Sequence, residues 1–249
     1  EILEQVPDVD AVIVPVGGGG LIAGMGLVMK AMKPTAEVIG VEPGRAASFA
    51  AALKAKAPIQ IEMSPTLADG LAVPMVGPRA FELASKSVDR VVQVVEEDIS
   101  LAILRLLEVQ KGVVEGAGAT PLAALISGQL RDLRGKKVVL VLCGGNIDPA
   151  VLGRVIDYGL VVDGRLTQFS VEISDRPGGL NDLTSAIAST GASIQQVTHE
   201  RAFGGADISR VQVICRVETR DAAHIAQLHE VLAARGMRVI TKKSPWSRD

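Results

Sequence analysis

Three short stretches of this sequence carry residue types and spacings suited to chemistry. In VIVPVGGGGLIAG, four glycines (Gly17, Gly18, Gly19 and Gly20) separate an apolar run from residues at helical spacing. Glycine lets the backbone approach a ligand closely and accept positive φ, so successive N–H groups can face one concavity. A helix N-terminus just beyond adds partial positive charge, and the combination favours a phosphate. The alternative is a tight strand-to-helix turn with no ligand. In VLCGGNID, Cys143, Gly144, Gly145 and Asn146 make a second glycine turn, headed by a thiol. The alternative for Cys143 is a small buried apolar side chain. In SDRPGGLND, Asp175, Arg176, Pro177, Gly178, Gly179 and Leu180 lead from a strand pattern into a helix pattern, where free N–H groups could receive a carboxylate. An ordinary helix start, with Asp175 near the cap and Pro177 in the first turn, is the alternative there.

Other chemistries find less support. The three histidines and two cysteines fall in no zinc-type spacing, so no metal site is expected. A net charge of −2 over 249 residues, 48% of them hydrophobic, gives no sign of a nucleic-acid or membrane surface, and the length suffices for two domains. No run reaches the length of a membrane span. Cys143 and Cys215, far apart and each in or beside an apolar strand, read as reduced thiols of a cytoplasmic protein. The chain opens at Glu1 without methionine, which reads as a piece of a longer protein.

Strand and helix patterns alternate up to about residue 160. EVIGVEP and VDRVVQVV read as strands, RAASFAAALKAK and GPRAFELASK as helices. EEDISLAILRLLEVQ is an amphipathic helix with its acids at the positive end, where they serve as helix-start residues. GVVEGAGATPLAALISGQL turns from an extended piece into a helix, and KKVVLVLCGGNIDP is a fully apolar strand ending in the second glycine turn. Such alternation predicts an α/β fold, a parallel sheet with helices on both faces and ligands at the strands' carboxyl ends. From about Arg165 the order becomes βαββαβ: strands LTQFSVEIS, SIQQVTHERAF, ISRVQVICRVET and MRVITKK, with helices entered at Pro177 and Asp221. That is the split βαβ arrangement of a separate ferredoxin-like domain.

Gly18, Gly20 and Ala23 satisfy the dinucleotide pattern, and Glu42 ends the next strand where a ribose-binding acid belongs. An NAD-binding regulator therefore stays open, although this fingerprint leaves Cys143 to Asn146, TLADGL and EGAGA unaccounted for. Taken in order, VPVGGGGLIAG, GVEP, TLADGLAV, VVEGAGA and VLCGGNID resemble the second half of the pyridoxal-phosphate lyases of the threonine dehydratase and serine racemase family. VEISDRPGGLNDLTSAIASTGASIQQVTHERAF is similar to the ACT regulatory domain attached to threonine dehydratases.

The resemblance implies a partial lyase domain over residues 1–160, followed by an ACT domain over 161–249. It implies pyridoxal 5'-phosphate as cofactor, cradled by Gly17 to Gly20. Cys143 would stand against the pyridine nitrogen, Gly144, Gly145 and Asn146 would shape the pocket edge, and Glu115 would lie near the ring unless it is a solvated turn residue. An uncharged thiol leaves that nitrogen largely unprotonated, which suits β-elimination over transamination. Some members bind a divalent cation through the glutamate of VEP; Glu42 and Ala46 match, but Ser48 replaces the third oxygen ligand, and no metal is assigned. The Schiff-base lysine sits in the family well upstream of the glycine loop, and none of the ten lysines here has that context. The implied activity is L-threonine to 2-oxobutanoate and ammonia, with serine a lesser substrate. Asp175 to Leu180 would bind an amino-acid effector in a homo-oligomer formed by ACT pairing. A non-catalytic amino-acid sensor built on a lyase remnant is the alternative.

Overall fold

The computed structural model describes residues 1–201 and 209–241. The chain divides into two compact units, Glu1–Ile156 and Asp157–Asp249. The first contains α1 (Ile2–Gln5), β1 (Ala11–Pro15), α2 (Gly20–Met32), β2 (Glu37–Pro43), α3 (Ser48–Ala55), α4 (Pro78–Ser87), β3 (Arg90–Val94), α5 (Glu96–Arg105), α6 (Gly116–Ile126) and β4 (Val138–Leu140). The division between the units falls within α7 (Pro149–Val162). All four strands run parallel, in the order β3-β2-β1-β4.

Why these segments form a two-faced sheet follows from alternation along continuous apolar runs. Ile13, Ile39 and Val41 point to one side, against Ile99, Ala102 and Ile103 of α5 and Ala119 and Ala123 of α6. Val12, Val14 and Val38 point to the other, against Ile22 and Met29 of α2, Phe49 of α3 and Ala84 of α4. β1 and most of β2 are therefore buried on both faces.

The strand expected over KKVVLVLCGGNIDP is shorter and wetter than its composition suggests. β4 covers three residues, all half-buried, because it pairs with β1 alone and forms a sheet edge. One more ladder bond, from Val141 N–H to the Ile13 carbonyl at 3.0 Å, follows before the chain turns into Cys143. The region 150–160, given no element by the apolar pattern, is helical as part of α7. Its signal is Asp148-Pro149: the Asp148 carboxylate accepts from Ala150 N–H at 2.7 Å, and Pro149 occupies the first helical position.

The second unit holds β5 (Leu166–Ser174), α8 (Gly179–Ser189), β6 (Ser193–Glu200), β7 (Arg210–Glu218), α9 (Ala222–Ala234) and β8 (Arg238–Thr241). Its strands are antiparallel in the order β6-β7-β5-β8, the split βαβ topology. Phe169, Val171, Val213 and Cys215 face Leu183 and Ile187 of α8 and Leu228 and Leu232 of α9. The Asp221 carboxylate caps α9 by accepting from His224 N–H at 2.8 Å. Of the expected strand SIQQVTHERAF, Ala202 and Phe203 lie outside the described residues, as do Ile208, Lys242 and Lys243 of the two strands after it.

Candidate functional site

The chain passes from β1 to β2 to β3 on one side, then returns to place β4 on the other side of β1. In an open parallel sheet such a reversal leaves a crevice at the strands' carboxyl ends, and ligands bind there. Ile13 of β1 is in register with Leu140 of β4, so both glycine turns leave the sheet at this one edge.

The first turn is locked from beneath and open above. Gly17 is buried, and a Cβ there would lie 3.1 Å from Leu71 Cα. Gly18 accepts at its carbonyl from Gly77 N–H, 3.1 Å away. Gly19 caps α2 at φ +84°, a conformation L side chains rarely adopt, and its Cβ would come 2.7 Å from Val76 Cγ2. A Cβ on Gly18 or Gly20 would meet nothing within 4 Å, and both residues are exposed. The bond from Ala23 N–H to the Gly19 carbonyl, 3.0 Å, starts the helical ladder. Gly20, Leu21 and Ile22 are thus left with N–H groups that have no intrahelical acceptor. A bare backbone rim at a helix N-terminus is suited to receive a phosphate.

The second turn is held by the start of α6. Glu115 N–H donates to the Gly144 carbonyl at 3.2 Å, and the Glu115 carboxylate accepts from Asn146 N–H at 3.0 Å. Gly144 sits at φ +89°, and a Cβ on it would overlap Glu115 Oε1. A Cβ on Gly118 would overlap the Cys143 carbonyl, and one on Gly116 the Leu67 carbonyl. Cys143 is half-buried, and burial, with the Glu115 charge beside it, pushes its thiol pKa upward. Both effects favour the protonated thiol over the thiolate.

Glu115 itself is half-buried and engaged, not a solvated turn residue. With Thr66, Leu67, Asp69, Asn146 and Asp148 it lines a cavity of about 510 Å³. Residues outside the expected set anchor this cavity. Glu96, 3% exposed at the start of α5, accepts from Thr66 Oγ1 and Leu67 N–H, both at 2.6 Å, and so fixes the TLADGL loop. Its signal was positional: the acid opens a helix whose partner loop carries free donors.

Glu42 is fully buried and accepts from Phe49 N–H at 2.6 Å and Ala50 N–H at 2.9 Å, which makes it the cap of α3. It is not presented to a ribose, which removes the residue on which the dinucleotide reading depended. Among the described residues no group of three or more His, Cys, Asp or Glu could hold a metal ion.

In the second unit the turn over Asp175 to Leu180 differs from the ordinary helix start. α8 begins at Gly179 with Gly178 as its cap at φ +103°, so Pro177 precedes the helix and Asp175 lies away from the cap. Asp175 instead pairs with Arg201 at 3.0 to 3.2 Å, which holds its carboxyl below the usual range. Gly179 N–H donates to the Arg176 carbonyl at 3.1 Å and is not free for a ligand. The need for glycine at 179 is internal, since a Cβ would overlap the Ser174 carbonyl. Arg176, Pro177, Gly178 and Leu180 are exposed.

Comparison with known proteins gives the site its context. An L-threonine ammonia-lyase of Thermotoga maritima is 43% identical over 239 residues, covering 96% of this chain and 59% of that protein. An L-threonine ammonia-lyase of Geobacter sulfurreducens is 43% identical over 228 residues, covering 92% and 56%. The processed form of threonine deaminase isoform 2 from Solanum lycopersicum superposes with a TM-score of 0.60 at 34% identity, over 63% of this chain and 46% of that one. The chain thus spans about half the length of the relatives it matches. Residues 1–144, which carry the first glycine turn and reach into the second, match the pyridoxal-phosphate dependent enzyme family, and to that family this chain belongs.

Proposed function

We propose that the protein carrying this segment is a cytoplasmic threonine ammonia-lyase, which converts L-threonine to 2-oxobutanoate and ammonia and takes L-serine less well. The observation that carries the reading is that a bare glycine rim and a half-buried thiol leave the sheet at the same carboxyl edge, from neighbouring strands β1 and β4. Identity to L-threonine ammonia-lyases over more than nine-tenths of the chain supports the substrate. Unpaired thiols at Cys143 and Cys215 support a reducing compartment.

Pyridoxal phosphate, when bound, supplies an electron sink for the bonds at the substrate α-carbon. The N–H groups around Gly18 to Leu21 and the positive end of α2 would hold its phosphate. Cys143 would meet the ring nitrogen as a neutral donor, which would leave that nitrogen with little positive charge and favour β-elimination over transamination. The described lysines with partners near the sheet are held at its amino edge, opposite the turns. Lys30 pairs with Asp89 ahead of β3, Lys33 donates to the Pro7 carbonyl, and Lys137 pairs with Asp8 ahead of β1. These three are not placed to reach the turns, and on the family resemblance we assign the cofactor-linking lysine to a part of the protein other than these 249 residues. The second unit serves as an amino-acid-binding ACT module that pairs with a second copy, a role its βαββαβ order supports.

The test compares two proteins with pyridoxal phosphate and L-threonine. The 249-residue chain alone yields no 2-oxobutanoate above free cofactor, whereas the longer protein does and shows a borohydride-reducible visible band. Turnover by the chain alone would put the reacting lysine among its own ten. A longer protein that keeps cofactor but leaves threonine untouched would refute the substrate.

A further inference from the structure

The segment around the start of α6 and the Cys143 turn are interlocked at five points, and Glu115 supplies three of them. Its N–H holds the Gly144 carbonyl, its Oε2 takes Asn146 N–H, and its Oε1 lies where a Cβ of residue 144 would be. The other two are steric: Gly118 lies under the Cys143 carbonyl, and a Cβ on Gly145 would come 3.0 Å from the Val113 carbonyl.

We propose that Glu115 is a positioning residue, which braces the 143–146 turn and thereby sets where the Cys143 thiol stands in the crevice. This deepens the lyase reading and rests on it for the thiol's purpose, but the brace itself is a property of the chain without cofactor. Three features fit a brace better than a mere cap. As the residue ahead of α6, Glu115 makes no side-chain bond to its own helix. Its carboxylate reaches across to a loop 31 residues away. Gly144 has the one side chain that lets the carboxylate close over it. The brace also carries charge to the thiol, in the direction that disfavours thiolate.

Cys143 reports on this directly, because Cys215, the other cysteine, is fully buried in the second unit's core. In the 249-residue chain without cofactor, the rate of Cys143 labelling by an aromatic disulfide at pH 8 measures thiolate fraction and access. Glu115→Gln keeps an acceptor for Asn146 N–H and removes the charge, so labelling should rise roughly three- to ten-fold. Glu115→Ala also frees the turn and should raise labelling further, with amide exchange at Asn146 becoming faster. Gly144→Ala should lower the melting temperature, and Gly144→Ala with Glu115→Ala should lower it by less than the two separate losses combined. Unchanged labelling in both Glu115 variants, or strict additivity with Gly144→Ala, would overturn the brace. A separate arm adds pyridoxal phosphate to the unsubstituted chain. Protection of Cys143 there supports the cofactor reading, and its lack counts against that reading while leaving the brace to the first arm.

Discussion

At the scale of single residues, adjacent glycines of the first turn have different physical duties. Gly19 is required by the fold: positive φ and the contact with Val76 both reject a side chain. Gly19→Ala should therefore lower stability by about 1–3 kcal/mol in denaturant titrations. Gly18 has open space around its Cβ position, so Gly18→Ala should change stability by less than ~1 kcal/mol. If the open rim is the phosphate cradle, the same substitution should weaken binding of pyridoxal phosphate in equilibrium dialysis at least several-fold. Undiminished binding in Gly18→Ala would mean that the ligand lies elsewhere. Which glycine did which was not legible in the sequence, because four identical residues carry no mark of their contacts. The placement of Leu71 and Val76, far on in the chain, separates them.

At the scale of elements, the apolar runs predicted the strands β1 to β3 and β5 closely, and β1 and β2, buried on both faces, had the least freedom of register. The elements that differed are those whose fate is set by a neighbour. β4 frays at the sheet edge, and α7 begins at a cap rather than at an apolar run. The entry to α8 is delayed to Gly179 because Asp175 is drawn to Arg201 of a later segment. EGAGA and TLADGL were visible as motifs, but their purpose was not: Gly116 and Gly118 let the first turn of α6 sit against Leu67 and Cys143. For the proposed effector site the redrawn turn narrows the expectation. With Gly179 N–H engaged, a carboxylate would have to meet the helix at Leu180 and Asn181 or replace Asp175 on Arg201. Calorimetric titration with isoleucine and valine should give heat at millimolar ligand or below and a sedimentation shift toward dimer, and Arg201→Ala should abolish the heat if the second route operates. Heat without any change in association would leave binding in place and remove the pairing from the proposal.

At the scale of the whole molecule, the two units carry buried titrating groups of opposite sense. Burial raises the Glu42 pKa to about 7, against the lowering effect of the Phe49 and Ala50 N–H groups. Between its ordinary 4.5 and 7 the folded first unit holds a proton that the unfolded chain has released, so Glu42 favours folding at the acid end and this contribution is lost as pH rises. His229 in the second unit behaves in reverse. Its Nε2 is buried with no hydrogen-bond partner, its ring stands edge-on to Phe169 at 5.6 Å, and burial lowers its pKa below 6.5. Below that value the unfolded chain takes up a proton that the folded unit refuses, so stability falls as pH falls. Asp175 and Asp132, both held low by arginine partners, change only in stronger acid. From pH 7 to 5, then, differential scanning calorimetry should show the first unit's transition moving up, by the equivalent of ~2 kcal/mol, while the second unit's moves down. Glu42→Gln should flatten the first response and His229→Phe the second, each leaving the other intact. Transitions that move together, or a pH response in the first unit that survives Glu42→Gln, would show that these two groups do not govern it.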